Sequence, residues 1–256
     1  MKTLELKYRI LGFNRVKKVN APECWEELSP IQFAVCSRIY TDQIPEKRFV
    51  QEYFDLPGIV MRRLSSFQLF KLTQLTDFAL KPEGSTNFFY LREIPRTGLL
   101  APGDRLTGIT LEHFAIFDTA FFDYIENSTG ENLVRFIACL YLRSGEVISQ
   151  IDFEKRLELV TSRAWICDYY SIFLNYIFVH RWLAKSFPFL FEEKEDSIVS
   201  DKTSKPVKPL RPQWNKIIDG FIGEDVINYD KYRQMPAIVA LKTINKRIKD
   251  HRYGRK

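Results

Sequence analysis

Large aromatic side chains at helical spacing constrain the fold of this chain more than any other feature. Over residues 111–126 they place Phe114, Phe117, Phe121 and Tyr124 on one side of a helix, because an α-helix turns once in about 3.6 residues. The 256-residue sequence contains 21 Phe and 12 Tyr, which is enough apolar volume for a sizeable core. The pattern therefore predicts a mainly α fold, an irregular multi-helix bundle.

Local signals predict where several helices begin. Ser29, Pro30 and Gln32 form a capping box with proline at the first helical position, so a helix should start there and run to about Tyr40. Further helices are predicted after Pro45, over 65–80 with Phe67, Phe70, Leu72, Leu75, Phe78 and Ala79 facing the core, over 111–126, and from Glu131. The short break at 127–130 favours an antiparallel hairpin of the last two helices.

The first residues of the chain follow a different period. Residues 1–7 alternate polar and apolar side chains, as a β-strand does, and lack the apolar run of a signal peptide. A second strand within residues 7–19 would pair back on the first and form a short N-terminal β-ribbon. Residues 88–91 are a candidate for another short strand.

The most hydrophobic stretch, residues 165–183, predicts a buried helix and not a membrane span. It contains Asp168, His180 and Arg181, which a span of about 20 residues would have to bury in lipid. The helix should extend over about 162–185. Since it is apolar on most sides, it should be the central element of the main body.

Composition divides the chain into three parts. Residues 1–191 carry the aromatic helices and the β-ribbon, and they are predicted to form the main body. Residues 192–211 are charged and proline-rich, which predicts a flexible linker. Residues 212–256 should then form a small basic C-terminal helical appendage, with helices over about 213–221 and 236–252.

The positive charge of the chain is concentrated in this last part. Residues 202–256 hold 14 Lys and Arg against 5 Asp and Glu, whereas the net charge of the whole chain is only +6. In the final helix an apolar stripe should dock on the main body and leave the basic side chains in solvent. Nucleic-acid binding by the basic side chains is the alternative, because phosphates attract such clusters. The residues that would carry it are Lys242, Lys246, Arg247, Lys249, Arg252, Arg255 and Lys256.

The sequence offers no motif for catalysis, metal binding or cofactor binding. His113, His180 and His251 are the only histidines, and none lies in a metalloprotease or nucleophile-elbow motif. The glycines match neither a P-loop nor a dinucleotide fingerprint, and the four cysteines are too far apart to suggest a zinc module. We therefore expect a protein without catalytic activity, cofactor or metal, whose thiols are reduced and mostly buried.

Three blocks of residues carry a family resemblance. They are WEELSPIQF at 25–33, ITLEHF at 109–114 followed by DTAFFDY at 118–124, and Leu133 followed by ACLY at 138–141. The chain in these blocks resembles a group of Bacteroidetes phage and prophage proteins that are found among tail genes and regarded as tail-assembly chaperone-like. Trp214 and the closing helix are similar to the end of that pattern.

The resemblance implies a non-enzymatic morphogenesis protein that acts by protein–protein binding. Its expected partners are phage tail or other virion proteins, or a second copy of the chain, and its expected location is the host cytoplasm or the virion. The residues expected to contact the partner are Trp25, Phe33 and Trp214. Tryptophan buries a large apolar area, so Trp25 and Trp214 are favoured as core or interface anchors over stacking platforms, and their positions at element boundaries suit contact with a partner.

Overall fold

The computed structural model describes residues 2–10, 13–40, 44–163, 166–191, 211–223 and 225–254. These residues form eleven α-helices and two small antiparallel sheets, so the predicted mainly α fold is confirmed. The chain divides into two compact units. Unit 1 comprises Met1–Thr86 with Trp165–Phe178, and unit 2 comprises Asn87–Ala164 with Val179–Lys256.

Unit 1 begins with the expected β-ribbon. Strand β1, Lys2–Ile10, pairs antiparallel with β2, Phe13–Ala21, and Leu6 faces Lys17 across the pair. The side chains of Leu6 and Val19 are buried, whereas Phe13 and Val16 are exposed. Only one face of the ribbon is thus covered, at Leu6, Val19 and Ala21, and Phe13 and Val16 meet solvent.

Four helices follow in unit 1: α1 (Pro30–Ser37), α2 (Glu46–Tyr53), α3 (Gly58–Met61) and α4 (Ser66–Gln74). Two of them start at capping boxes. Ser29 accepts a hydrogen bond from the Gln32 backbone N–H in α1, and Ser65 accepts one from the Gln68 N–H in α4. The predicted start of α1 is confirmed, and a 3₁₀ turn, Arg38–Tyr40, continues it to the predicted end.

The expectation that residues 65–80 form one core-facing stripe is wrong. Helix α4 ends at Gln74, and a separate 3₁₀ turn covers Asp77–Leu80. Leu72 is buried, but Phe67 and Phe70 are exposed. At about 100° per residue, Phe70 and Leu72 lie about 200° apart around the helix, so they cannot face the same side.

Unit 2 is built on a helical hairpin, as predicted. Helix α5, Leu111–Glu126, is capped by Thr110, and α6, Gly130–Leu140, is capped by Thr129. The Phe121 and Phe136 rings pack 5.6 Å apart across the hairpin. This packing is antiparallel, because His113 near the start of α5 bonds Cys139 near the end of α6.

Residues 88–91 are not a strand, so that prediction is wrong. The Phe88 and Tyr90 rings pack against each other at 4.9 Å, and the Leu91 carbonyl accepts a hydrogen bond from the Tyr141 hydroxyl. The Tyr141 hydroxyl thus satisfies a backbone carbonyl that would otherwise pair with a neighbouring β-strand. The short strands lie further along, β3 at Glu93–Ile94 and β4 at Leu99–Leu100.

The remaining helices are α7 (Phe153–Arg163), α8 (Ile166–Ser186), α9 (Trp214–Ile222), α10 (Tyr229–Arg233) and α11 (Ala237–Tyr253). Helix α8 supplies residues to both units. The predicted linker, apart from Arg211, lies outside the described residues. The predicted boundaries of the main body and the appendage stay a prediction.

Polar contacts hold the C-terminal helices inside unit 2. Arg233 lies 2.5 Å from the Glu112 carboxylate on α5, and Asn245 on α11 accepts hydrogen bonds from the backbone N–H groups of Phe189 and Leu190. Leu241 and Ile244 of α11 are buried. The predicted apolar stripe is thus docked at Leu241 and Ile244, whereas Ile238 and Ile248 are half-buried.

Candidate binding surfaces

The three residues predicted to contact a partner lie in the core. Trp25 is 4% exposed, Phe33 is 1% exposed and Trp214 is 3% exposed. The expectation that they face a partner is therefore corrected, because a side chain without accessible surface cannot contact another molecule unless the structure opens. Their aromatic area is used inside each unit.

In unit 1, Trp25 is the centre of an aromatic cluster. Its ring packs edge-on against Phe33, Phe78 and Phe178, with centroids 4.9 to 5.8 Å away. Its indole N–H donates to the Lys81 carbonyl at 3.0 Å. The motif around residues 25–33 that suggested recognition is thus a capping and packing motif of this unit.

In unit 2, Trp214 binds a buried carboxylate. Its indole N–H donates to Asp118 Oδ2 at 2.7 Å, and Asp118 is fully buried. His180 Nε2 lies 3.9 Å from Asp118 Oδ1, and its ring packs against Phe121 and Phe191. A carboxylate beside a histidine is a common acid–base arrangement, but this one is enclosed by aromatic rings. Its geometry suits a structural link between α5, α8 and α9.

His113 is a second buried histidine of unit 2. Its Nε2 donates to the Cys139 carbonyl at 2.7 Å. Burial lowers the pKa of this imidazole to about 4, since a charged ring would lose its hydration inside the core. The ring is therefore neutral at pH 7, and it links α5 to α6.

Of the seven basic residues predicted to bind nucleic acid, Arg255 and Lys256 lie outside the described residues, and the other five are on the surface. The exposed ones are Lys242, Lys246, Arg247, Lys249 and Arg252. The three lysines among them, at spacings of four and three residues, share one helical face. We call Lys242, Lys246 and Lys249 the lysine stripe.

Arg247 points to a different side from the stripe. Its guanidinium donates to the Phe221 carbonyl and lies over the Phe221 ring, 4.8 Å from the centroid. It therefore joins α11 to α9, and its contacts with unit 2 are part of the fold.

Unit 1 exposes aromatic residues that sequence reasoning had assigned to the core. Phe67 is 64% exposed and Phe70 is 57% exposed, and both lie on the outer side of α4 with Lys71. The Lys71 ammonium lies 4.6 Å from the centroid of the Phe67 ring. We call Phe67, Phe70 and Lys71 the α4 face. The sequence already indicated that this face differs from the Leu72 face, because Phe70 and Leu72 are about 200° apart around a helix.

The β-ribbon lies next to the start of the α4 face. Gln68 Nε2 donates to the Lys7 carbonyl at 3.1 Å, and Lys7 is paired across the ribbon with the exposed Val16. The first 21 residues hold six Lys and Arg against one Glu. The helix that carries the exposed aromatic rings thus lies beside a positively charged ribbon. This local positive charge is additional to the excess of Lys and Arg near the C-terminus.

The described residues also bear on metal binding and on membrane insertion. In that part of the chain, no three His, Cys, Asp or Glu side chains are grouped so that they could hold a metal ion. Its helices are also too short or too polar for any of them to cross a membrane.

Comparisons with known protein families, with characterised proteins and with solved structures found no match to this chain.

Proposed function

We propose that this chain is a non-enzymatic phage or prophage morphogenesis protein that takes part in tail assembly by binding another protein. The family resemblance suggests tail assembly as the process, and the α4 face is the surface proposed to contact the partner. Its work would take place in the host cytoplasm, with the protein free or on the virion.

The observation that carries the binding role is the exposure of Phe67 and Phe70 on adjacent turns of one helix. Exposed apolar groups cost little singly, but two large exposed rings on adjacent turns of one helix are a feature of the kind that marks protein contacts. The ribbon that carries the exposed Val16 is joined to the same helix by the Gln68–Lys7 hydrogen bond. Phenylalanine is enriched in such interfaces. The neighbouring Lys7 and Lys71 favour a partner with acidic residues around an apolar centre.

The test is co-purification from a lysate in which the phage or prophage has been induced. We expect the tagged protein to recover a tail or head protein, identified by mass spectrometry. The double variant Phe67→Ser and Phe70→Ser should lose that partner, because truncating the central rings of an interface removes most of its affinity. Recovery of no virion protein by the unsubstituted chain would contradict the proposal.

A matched control comes from unit 2. Ile227 is 96% exposed and Tyr253 is 66% exposed, so Ile227→Ser with Tyr253→Ser removes a similar exposed apolar area away from the α4 face. This control should keep the partner. If both double variants lose it equally, binding does not depend on the α4 face. Sedimentation of the purified chain would show whether the partner is a second copy.

The lysine stripe favours a second candidate, nucleic-acid binding. Lys242 and Lys249 are separated by seven residues, or about 10.5 Å along α11, which suits contact with successive phosphates. Binding to a labelled duplex should weaken steeply as salt rises. Replacing all three stripe lysines by Gln should make the slope of log K against log salt shallower by about 3. Absence of binding at about 50 mM salt would remove this candidate.

A further inference from the structure

A groove in unit 2 runs between α9 and α11, away from the lysine stripe. It is a cavity of about 400 Å³. Its apolar lining is accessible mainly at the half-buried Ile217 on α9 and Ile248 on α11, while Phe221 and Ile244 line it from buried positions. Such a row of apolar side chains between two helices resembles the floor on which a third helix packs.

Gly220 lies in this groove, inside α9. Glycine within a helix is about 1 kcal/mol less favourable than alanine, so its presence normally has a packing or conformational reason. Neither applies inside this structure: a Cβ at Gly220 would meet no atom within 4 Å, and no positive φ is found there. The missing side chain keeps the groove deep and lets another backbone approach α9 closely.

The rim of the groove is positively charged. The groove is lined by Lys216, Arg247 and Arg252, together with His251 and the apolar residues, and none of the described residues lining it is acidic. The Arg247 guanidinium is engaged with the Phe221 carbonyl and ring, so it helps to build the groove. Lys216 is exposed at the edge, where it can meet a charge of opposite sign.

We propose that this groove binds an acidic amphipathic helix of a partner protein. Apolar side chains at helical spacing would occupy the floor over Gly220, and carboxylates beside them would face Lys216, His251 and Arg252. This binding is independent of the α4 face and holds whether or not that face binds a virion protein.

Nucleic acid suits the groove less well. Binding of single strands relies on aromatic faces that are open to a stacking base. Phe221 is 4% exposed, and its ring is already contacted by Arg247 and by Tyr232, whose centroid is 5.3 Å away. The other apolar lining residues are isoleucines, which offer no stacking surface.

The test uses two labelled synthetic peptides of 18 residues and the full chain. Both peptides carry leucines at helical spacing on one face, and the other face carries Glu in the first and Lys in the second. Fluorescence anisotropy should show binding of the Glu peptide with a Kd in the micromolar range, and at least tenfold weaker binding of the Lys peptide. Equal affinity for both peptides would overturn the proposal.

Substitutions locate the binding. Gly220→Trp fills the groove and should lower the affinity for the Glu peptide roughly tenfold. The helix tolerates this substitution because Trp has a higher helix propensity than Gly. Lys216→Glu should lower the affinity for the Glu peptide roughly fivefold. The control is Lys242→Glu, which makes the same change of charge on the lysine stripe and should have less than a twofold effect.

Other occupants would appear as contrary results. If a single-stranded oligonucleotide displaces the Glu peptide, and Gly220→Trp lowers the affinity for the oligonucleotide, the groove is a nucleic-acid site. If the unsubstituted chain forms a dimer that Gly220→Trp abolishes, the occupant is a second copy. Either result would overturn the proposal, as would unchanged peptide affinity in both Gly220→Trp and Lys216→Glu.

Discussion

The phenylalanines of α5 in unit 2 and those of α4 in unit 1 have opposite environments. Phe114, Phe117 and Phe121 are at most 3% exposed, whereas Phe67 and Phe70 are more than half exposed. Of the twelve large apolar residues exposed in the described chain, seven belong to unit 1, although unit 2 is the larger. The rings of α5 therefore pack in the core of unit 2, whereas those of α4 meet solvent in unit 1.

The two units also satisfy their buried tryptophans differently. In unit 1 the Trp25 indole donates to a neutral carbonyl, while in unit 2 the Trp214 indole donates to the Asp118 carboxylate. Hydrogen bonds to charged acceptors contribute more to stability than those to neutral ones. The difference predicts that unit 2 depends on specific polar contacts more strongly than unit 1 does.

The largest expected effect compares one substitution in both units. Phe117→Ala should lower the free energy of unfolding by about 3–5 kcal/mol, because it leaves a cavity in a core where the ring is fully buried. Phe67→Ala should change it by less than about 0.5 kcal/mol, since that ring already meets solvent. Urea denaturation of both variants measures the difference, and equal costs would break the comparison.

A pH dependence should follow from His113 in unit 2. Its pKa is about 4 in the folded chain and about 6.5 when unfolded, so the unfolded state binds the extra proton first. Stability is therefore complete above about pH 6.5 and falls as the pH drops toward 4, by about 3 kcal/mol in all.

The measurement is the urea midpoint of the unsubstituted chain and of His113→Gln at several pH values. The variant cannot titrate at this position but keeps an amide donor for the Cys139 carbonyl. Subtracting the two curves isolates His113 from other titrating groups. Parallel curves would show that this imidazole is not buried as described.

The tryptophans provide the next comparison. Trp214→Phe should cost about 1.5–3 kcal/mol, because it leaves the buried Asp118 carboxylate without its indole donor. Trp25→Phe removes a bond to the neutral Lys81 carbonyl and should cost about 1 kcal/mol beyond the change in packing. Unfolding measured by near-ultraviolet circular dichroism gives both values, and a reversed order would contradict the assigned roles.

The smallest expected effect is a gain in stability. Gly220→Ala should raise the free energy of unfolding by about 0.5–1 kcal/mol, because the helix favours Ala and a Cβ would meet no neighbour. The opposite sign is expected for Gly84→Ala in unit 1, where a Cβ would clash with the Phe178 ring. Thermal unfolding of the two variants would show whether each glycine serves packing or leaves a surface open.

Part of the binding surface could be predicted from the sequence. The exposure of Lys242, Lys246 and Lys249 follows from their position opposite Leu241 and Ile244 on one amphipathic helix. The burial of Trp25 and Trp214 could not be predicted in this way, because a large residue at the start of an element suits a core as well as an interface. The groove over Gly220 also required the structure, since its two walls are 20 or more residues apart in sequence.

The sequence by itself determined the elements whose causes are local. The Ser29 and Ser65 capping boxes start α1 and α4, and the caps at Thr110 and Thr129 start the two helices of the hairpin. Alternating side chains likewise produced the β-ribbon. Each cap joins residues three apart, and the paired residues of the ribbon are at most 19 apart in sequence.

The tertiary structure alone decided which helical faces meet solvent. Spacing sets the residues that share a face, but whether a face is covered depends on elements distant in sequence, and a helix can carry apolar residues on two sides. In α4 the Leu72 side is covered and the side of Phe67 and Phe70 is not. The same contacts between distant segments buried Trp214 against Asp118 and left the groove between α9 and α11 open.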